Sequence, residues 1–133
     1  MYRIVLDTNV LISAMFHNGK PRQLLKKAID DEKYVLVTSR DIINEVSGVI
    51  RRPKFKMTND EINDVLIALA SSSDIKMITS KFKVSDDPDD DMIINTAYDG
   101  NANYIVSGDD DLLRIKEFKN IKIVTVAQML KIL

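Results

Sequence analysis

The 133-residue chain has no cysteine, no tryptophan, four glycines and one histidine, His17. Without cysteine it can form neither a disulfide nor a thiolate metal site. A lone imidazole makes a histidine-ligated zinc centre or a Ser-His-Asp triad improbable, and His17 reads as a surface residue. No Gly-x-x-x-x-Gly-Lys-Ser/Thr occurs, so a P-loop is excluded. No run of about 18 apolar residues is present to span a membrane, and "MYRIVLDTNV" lacks the layout of a signal peptide. A cytoplasmic protein is therefore expected. Excess positive charge is missing too: 19 Lys and Arg stand against 20 Asp and Glu, a formal net charge of −1. That balance argues against gripping nucleic acid by bulk electrostatics alone. It leaves a nucleic-acid substrate open, because divalent cations bound by clustered acids turn a negative site locally positive. If chemistry happens here, carboxylates carry it.

With 45% hydrophobic and 29% charged residues, the composition is that of one folded domain, residues 1–133. "YRIVL", "YVLVTS", "DIKMIT", "NYIVS" and "IKIVTV" read as short strands. Between them lie amphipathic helices. One runs from about Val10, one sits behind Pro21, and one carries Ile42, Ile43, Val46, Val49 and Ile50 and stops near Pro53. Thr58 with Glu61 forms a capping signal ahead of Ile62, Val65, Leu66 and Leu69. A helix from about Asp90 ends at Gly100, a short one spans Asp109 to Ile115, and "AQMLKIL" closes the chain. This alternation predicts a parallel sheet covered by helices on both faces, an α/β three-layer fold.

In such folds ligands bind beyond the carboxyl ends of the strands, where the strand order reverses. Asp7 follows the first strand, Glu45 lies inside the helix after the second, Asp90 opens a helix and Asp109 follows the fourth strand, so all four fall near one sheet edge. Each has a plainer explanation. Asp7 and Asp109 suit helix N-caps, and the run from Asp86 to Asp91, "DDPDDD", suits a hydrated loop. Glu45 is harder to dismiss, since it borders the apolar face of its helix. An EF-hand starting at Asp87 fails, with Met92 and Tyr98 where glycine and glutamate are needed. A phosphotransfer domain of the receiver or haloacid-dehalogenase kind lacks its second early aspartate.

"LDTNVLISA", "SRDIINEV", "RRPKF", "DPDDDMIINTA" and "YIVSGDDDLL" together resemble the PIN-domain family, in the branch described as toxins of toxin–antitoxin systems. The resemblance spans nearly the whole chain with its motifs in order. It implies a central parallel sheet of about five strands and a ribonuclease whose acids hold one or two Mg²⁺ or Mn²⁺ ions. It carries the family's acids onto Asp7, Glu45, Asp90 and Asp109, with Asp91 as the competing register for the third and Asp111 as an assistant. Asn9 and Ser107 fall on supporting positions, and the expected partners are RNA, a cognate antitoxin and a second copy in a homodimer. Arg51, Arg52, Lys54 and Lys56 are candidates for holding an RNA backbone, although cations near a helix C-terminus also serve the dipole. The alternative is a catalytically silent PIN fold that binds RNA or protein. The chemistry of the residues agrees with a metal enzyme, since hard oxygen donors without histidine or cysteine favour Mg²⁺ or Mn²⁺ over zinc.

Overall fold

A strand covered on both faces must be apolar at consecutive positions. Ile4, Val5 and Leu6 meet that demand and are almost wholly buried. They form the centre of the sheet in the computed structural model, which describes all of residues 1–133. Along the chain run β1 (Arg3–Leu6), α1 (Thr8–Phe16), α2 (Lys20–Ile29), β2 (Val35–Ser39), α3 (Arg40–Ile50) and α4 (Asn59–Ser71). There follow β3 (Ser73–Lys76), α5 (Pro88–Asp99), β4 (Tyr104–Val106), α6 (Asp110–Ile115), β5 (Glu117–Phe118), β6 (Ile121–Val124) and α7 (Val126–Ile132). A short 3-10 turn, Pro53–Phe55, links α3 to α4.

The sheet has six strands in the order β3-β2-β1-β4-β6-β5. Five are parallel and β5 is antiparallel to β6. From β1 the chain builds outward through β2 to β3, then returns to the other side of β1 for β4, so the order reverses beside β1. Helices flank this sheet in a three-layer α/β architecture. α1 packs on α2 and α3, α3 on α4, and α2 on α7, while α5 lies across β1, β2 and β4. The last crossing is close: a Cβ on Gly100, at the end of α5, would collide with the Val37 side chain in β2.

The Thr58–Glu61 capping box forms with both reciprocal hydrogen bonds, Thr58 N donating to Glu61 Oε1 at 2.9 Å and Glu61 N to Thr58 Oγ1 at 3.1 Å. Two boundaries differ from the sequence expectation. α1 starts at Thr8 rather than Val10, directly after β1, and α5 starts at Pro88, whose fixed φ suits a first helical turn, placing Asp90 inside that turn. The sixth strand is an addition. β5 is two residues long and exists because Lys119 and Asn120 both take left-handed φ angles, 46° and 68°, turning the chain tightly into β6.

Candidate functional site

The order reversal beside β1 puts the ends of β1 and β4 next to each other. Register pairs Leu6 with Val106, so the residues that follow, Asp7 and Ser107, emerge side by side. Asp7 N donates to Val106 O at 2.9 Å. Ser107, fully buried, joins the two strand ends: its Oγ donates to Asp7 Oδ2 at 2.7 Å and accepts from Asp109 N at 2.9 Å. One hydroxyl thus orients one carboxylate and the backbone that presents another.

Around these strand ends lies a cleft of about 460 Å³. Asp7, Asn9, Glu45, Asp90 and Asp109 line it, together with Asp87, Asp89 and Gly108, and no apolar residue does. β1 delivers Asp7, α3 delivers Glu45, the first turn of α5 delivers Asp90, and the β4–α6 connection delivers Asp109. Carboxylate oxygens of Asp90, Asp109 and Asp111 lie within 4.8 Å of one another, a spacing a single cation can bridge. Asp90 and Asp109 share the cleft with Asp7 and Glu45, while Asp111 lines the adjoining cavity.

The electrostatics record the crowding. Burial pushes the Asp7 carboxyl above its ordinary range, against the Ser107 hydrogen bond, and the nearby Asp109 charge adds to the rise. Glu45, half-buried, is raised first by burial and then by the charges of Asp89, Asp7 and Asp87. Asp90, only 7% exposed, is raised to about 7, by burial first and then by the charge and proximity of Asp109. Like charges held together out of water favour protonation or a counter-cation.

The capping explanations hold in part. Asp109 is the N-cap of α6 and accepts from Asp111 N at 3.3 Å, and Asp87 caps α5 by accepting from Asp89 N at 2.9 Å. Asp7 occupies the N-cap position of α1 without a capping hydrogen bond from its side chain. Asp91 faces away from the cleft, because adjacent helix positions point about 100° apart. Its Oδ1 accepts instead from Val84 N and Ser85 N, both at 2.9 Å. Asp111, largely exposed, pairs with Arg114 at 2.9 Å.

Several contributors had no sequence signal. Asp87 and Asp89 belong to the run that suited a hydrated loop, yet both line the cleft. The Thr8 hydroxyl is buried without a hydrogen-bond partner and lies beside the Glu45 carboxyl. Thr96 Oγ1, buried beneath α3, sits 2.9 Å from Ser39 Oγ, the N-cap of that helix. Arg51, Arg52, Lys54 and Lys56 are exposed at the end of α3 and in the turn after it, and none lines the cleft. Instead, Lys83 and Arg114 line an adjoining cavity of about 720 Å³ that shares Asp87 with the acid cleft. His17 is exposed at the end of α1.

Residues 3–111 match the PIN domain family. The chain belongs to that family. An uncharacterized protein of Methanocaldococcus jannaschii is 36% identical over 119 residues, covering 86% of this chain and 76% of that one. Among solved structures, the crystal structure of VapBC2 from Rickettsia felis bound to a DNA fragment from its promoter is similar over 92% of this chain and 98% of the matched chain. At a TM-score of 0.63 and 15% identity, that likeness speaks for the PIN fold alone. No helix of this PIN-domain protein is long and apolar enough to cross a membrane.

Proposed function

We propose that this PIN-domain protein is a divalent-metal-dependent endoribonuclease that hydrolyses RNA phosphodiester bonds and is the toxin of a toxin–antitoxin pair. The observation that carries the reading is the gathering of Asp7, Glu45, Asp90 and Asp109, from four separate elements, around one cleft with no apolar lining. Membership in the PIN family gives that cleft its chemical context.

The donor set fits Mg²⁺ or Mn²⁺. It is all oxygen, three of its carboxylates approach one another within 4.8 Å, and the unpartnered Thr8 hydroxyl stands beside a fourth. Asp90 and Asp109 would hold such an ion, with Asp7 and Glu45 contributing directly or through water and Asp111 assisting. The chemistry supplied by such an ion, when bound, would be acidification of a water and stabilisation of charge on phosphate oxygens. The chain's own residues do the rest. Ser107 fixes Asp7 and the Asp109 backbone, and Asn9, exposed on the cleft, donates to phosphate or to an ordered water. Lys83 and Arg114 hold the RNA strand as it leaves the acids, with Arg51, Arg52, Lys54 and Lys56 contacting it farther away.

A cognate antitoxin that covers the acid cleft is part of this reading, as is a homodimer. Cytoplasmic action on RNA is part of the same proposal. Purified protein incubated with single-stranded RNA should cleave it in Mg²⁺ or Mn²⁺, stop in EDTA, and lose activity in Asp7→Asn and Asp90→Asn. RNA that is bound but never cut, under either metal, would leave a silent binding module as the correct account.

A further inference from the structure

Between β3 and α5 the chain runs from Met77 to Asp87 with neither helix nor strand. Such a stretch needs partners for its backbone groups. One stripe of α5 supplies them, through Asp91, Asn95 and Asp99, spaced four residues apart and so aligned on one face. Asp99 Oδ2 accepts from Thr79 N at 2.7 Å and from Ser80 N at 3.0 Å. Asn95 Oδ1 accepts from Phe82 N at 2.9 Å, while its amide donates to Phe82 O at 3.0 Å. Asp91 Oδ1 accepts from Val84 N and Ser85 N. The Phe82 ring, edge-on to both Tyr98 and Phe118, fills the middle of this clasp.

The end fastened by Asp91 touches the acid cleft. Ser85 Oγ accepts from Asp87 N at 3.1 Å and lies 3.4 Å from Asp90 Oδ2, to which it donates. Asp87 in turn caps α5, and Asp87 and Asp90 both line the cleft. Asp91 is therefore next to Asp90 in sequence, points toward the loop instead of the cleft, and reaches Asp90 again through Ser85.

We propose that Asp91 is a positioning residue. By clamping the amides of Val84 and Ser85 it holds the Ser85 hydroxyl against Asp90 and sets the α5 cap, and thereby fixes the aim of the Asp90 carboxylate. This rests on the reading of the cleft as a metal site. Both hydrogen bonds that the Asp91 side chain accepts end on Oδ1. Asparagine keeps an acceptor oxygen there while losing the charge, so it separates positioning from ligation.

The test compares full-length wild type with Asp91→Asn, Asp91→Ala and Ser85→Ala. It reads Mn²⁺ affinity by titration calorimetry, kcat and KM on single-stranded RNA, and amide exchange at Val84 and at residue 85. Asp91→Asn should stay within about twofold of wild type in all three, since both amides keep their acceptor. Asp91→Ala should lose about 10–100-fold in Mn²⁺ affinity and in kcat, the usual effect of removing an outer-shell partner, with KM little changed and faster exchange at both amides. Ser85→Ala, which leaves the Asp91 clamp in place, should reproduce the loss of Mn²⁺ affinity without speeding exchange at Val84. The proposal is overturned if Asp91→Asn falls as far as Asp91→Ala, if Ser85→Ala binds Mn²⁺ like wild type, or if Asp91→Ala frees the amides with Mn²⁺ affinity intact. A wild type that binds no Mn²⁺ overturns the metal-site reading and this inference together. A wild type that binds Mn²⁺ and cuts RNA beside variants that behave in one of those three ways overturns this inference alone.

Discussion

Asp90→Asn in metal-free protein should raise stability at neutral and alkaline pH. In the folded state the Asp90 carboxyl, buried and facing Asp109, is raised from 3.8 to about 7. A carboxyl raised on folding contributes stability that is fully present below its unfolded value, here near 4, and is lost as pH rises through about 7. Above that, the folded protein carries an ionised Asp90 that neighbouring carboxylates disfavour. Each pKa unit corresponds to ~1.4 kcal/mol. Shared with Asp109 across a solvent-facing cleft, the strain should amount to about 1–3 kcal/mol at pH 8. Asparagine has nearly the same shape without the charge, keeps a donor toward Asp109 and keeps an acceptor for the long 3.4 Å approach of Ser85. Thermal unfolding in EDTA between pH 4 and pH 8 should show the variant and wild type converging at the acid end. Toward pH 8 the variant should rise several degrees above wild type, at about 3–5 °C per kcal/mol for a chain of this size. The comparison cancels the opposing contributions of Asp74 and Asp99, whose carboxyls are lowered. Saturating Mn²⁺ should reverse the order, because a ligand at a hundred times its dissociation constant stabilises the folded state by about 2.7 kcal/mol. A variant less stable than wild type in EDTA at pH 8, or a gap that ignores pH, would make Asp90 a structural residue and remove the charge-crowding explanation.

Ser107→Ala removes the hydroxyl that bonds both Asp7 and the Asp109 amide, so chemical denaturation should show a loss of about 1–3 kcal/mol and Mn²⁺ titration a weakened site. Salt-dependent RNA binding should distinguish the two groups of cations. Neutralising Lys83 and Arg114 should weaken binding more than neutralising Arg51 and Arg52, and should flatten the logarithmic salt slope by about one for each phosphate left without its cation. Gly100→Ala drives a methyl into Val37 and should destabilise by about 1–3 kcal/mol in a melt, with RNA cleavage per folded molecule unchanged well below the transition.

The alternation of strands and helices was legible because each core strand is short and apolar and each helix carries a stripe. The Thr58–Glu61 box was legible because its chemistry lies within four residues. β5 was not, since two residues show no periodicity and the strand depends on the left-handed turn at Lys119 and Asn120. The gathering of Asp7, Glu45, Asp90 and Asp109 could be anticipated from their places near one edge of the sheet together with the family resemblance. Ser107 was also legible as a support through the family resemblance, but its particular bonds to Asp7 and the Asp109 amide were not, because Ser107 reaches Asp7 across 100 positions and the pairing of β1 with β4 is invisible in the sequence. Composition could not divide the acidic run from Asp86 to Asp91. In the fold Asp87, Asp89 and Asp90 face the cleft, while Asp91 turns to the loop. Capping and cleft lining also proved compatible, since Asp109 does both.

Whether the cleft is a metal site is decided most directly by a crystal structure of the protein grown with Mn²⁺, with data collected to locate the metal by its anomalous scattering. A peak should appear coordinated by Asp90 and Asp109, with Asp7 and Glu45 within direct or water-mediated reach and Asp91 still bound to the Val84 and Ser85 amides. A cleft that stays free of metal in excess Mn²⁺, or a peak held by other residues, would contradict the assignment of these acids as the cation's ligands.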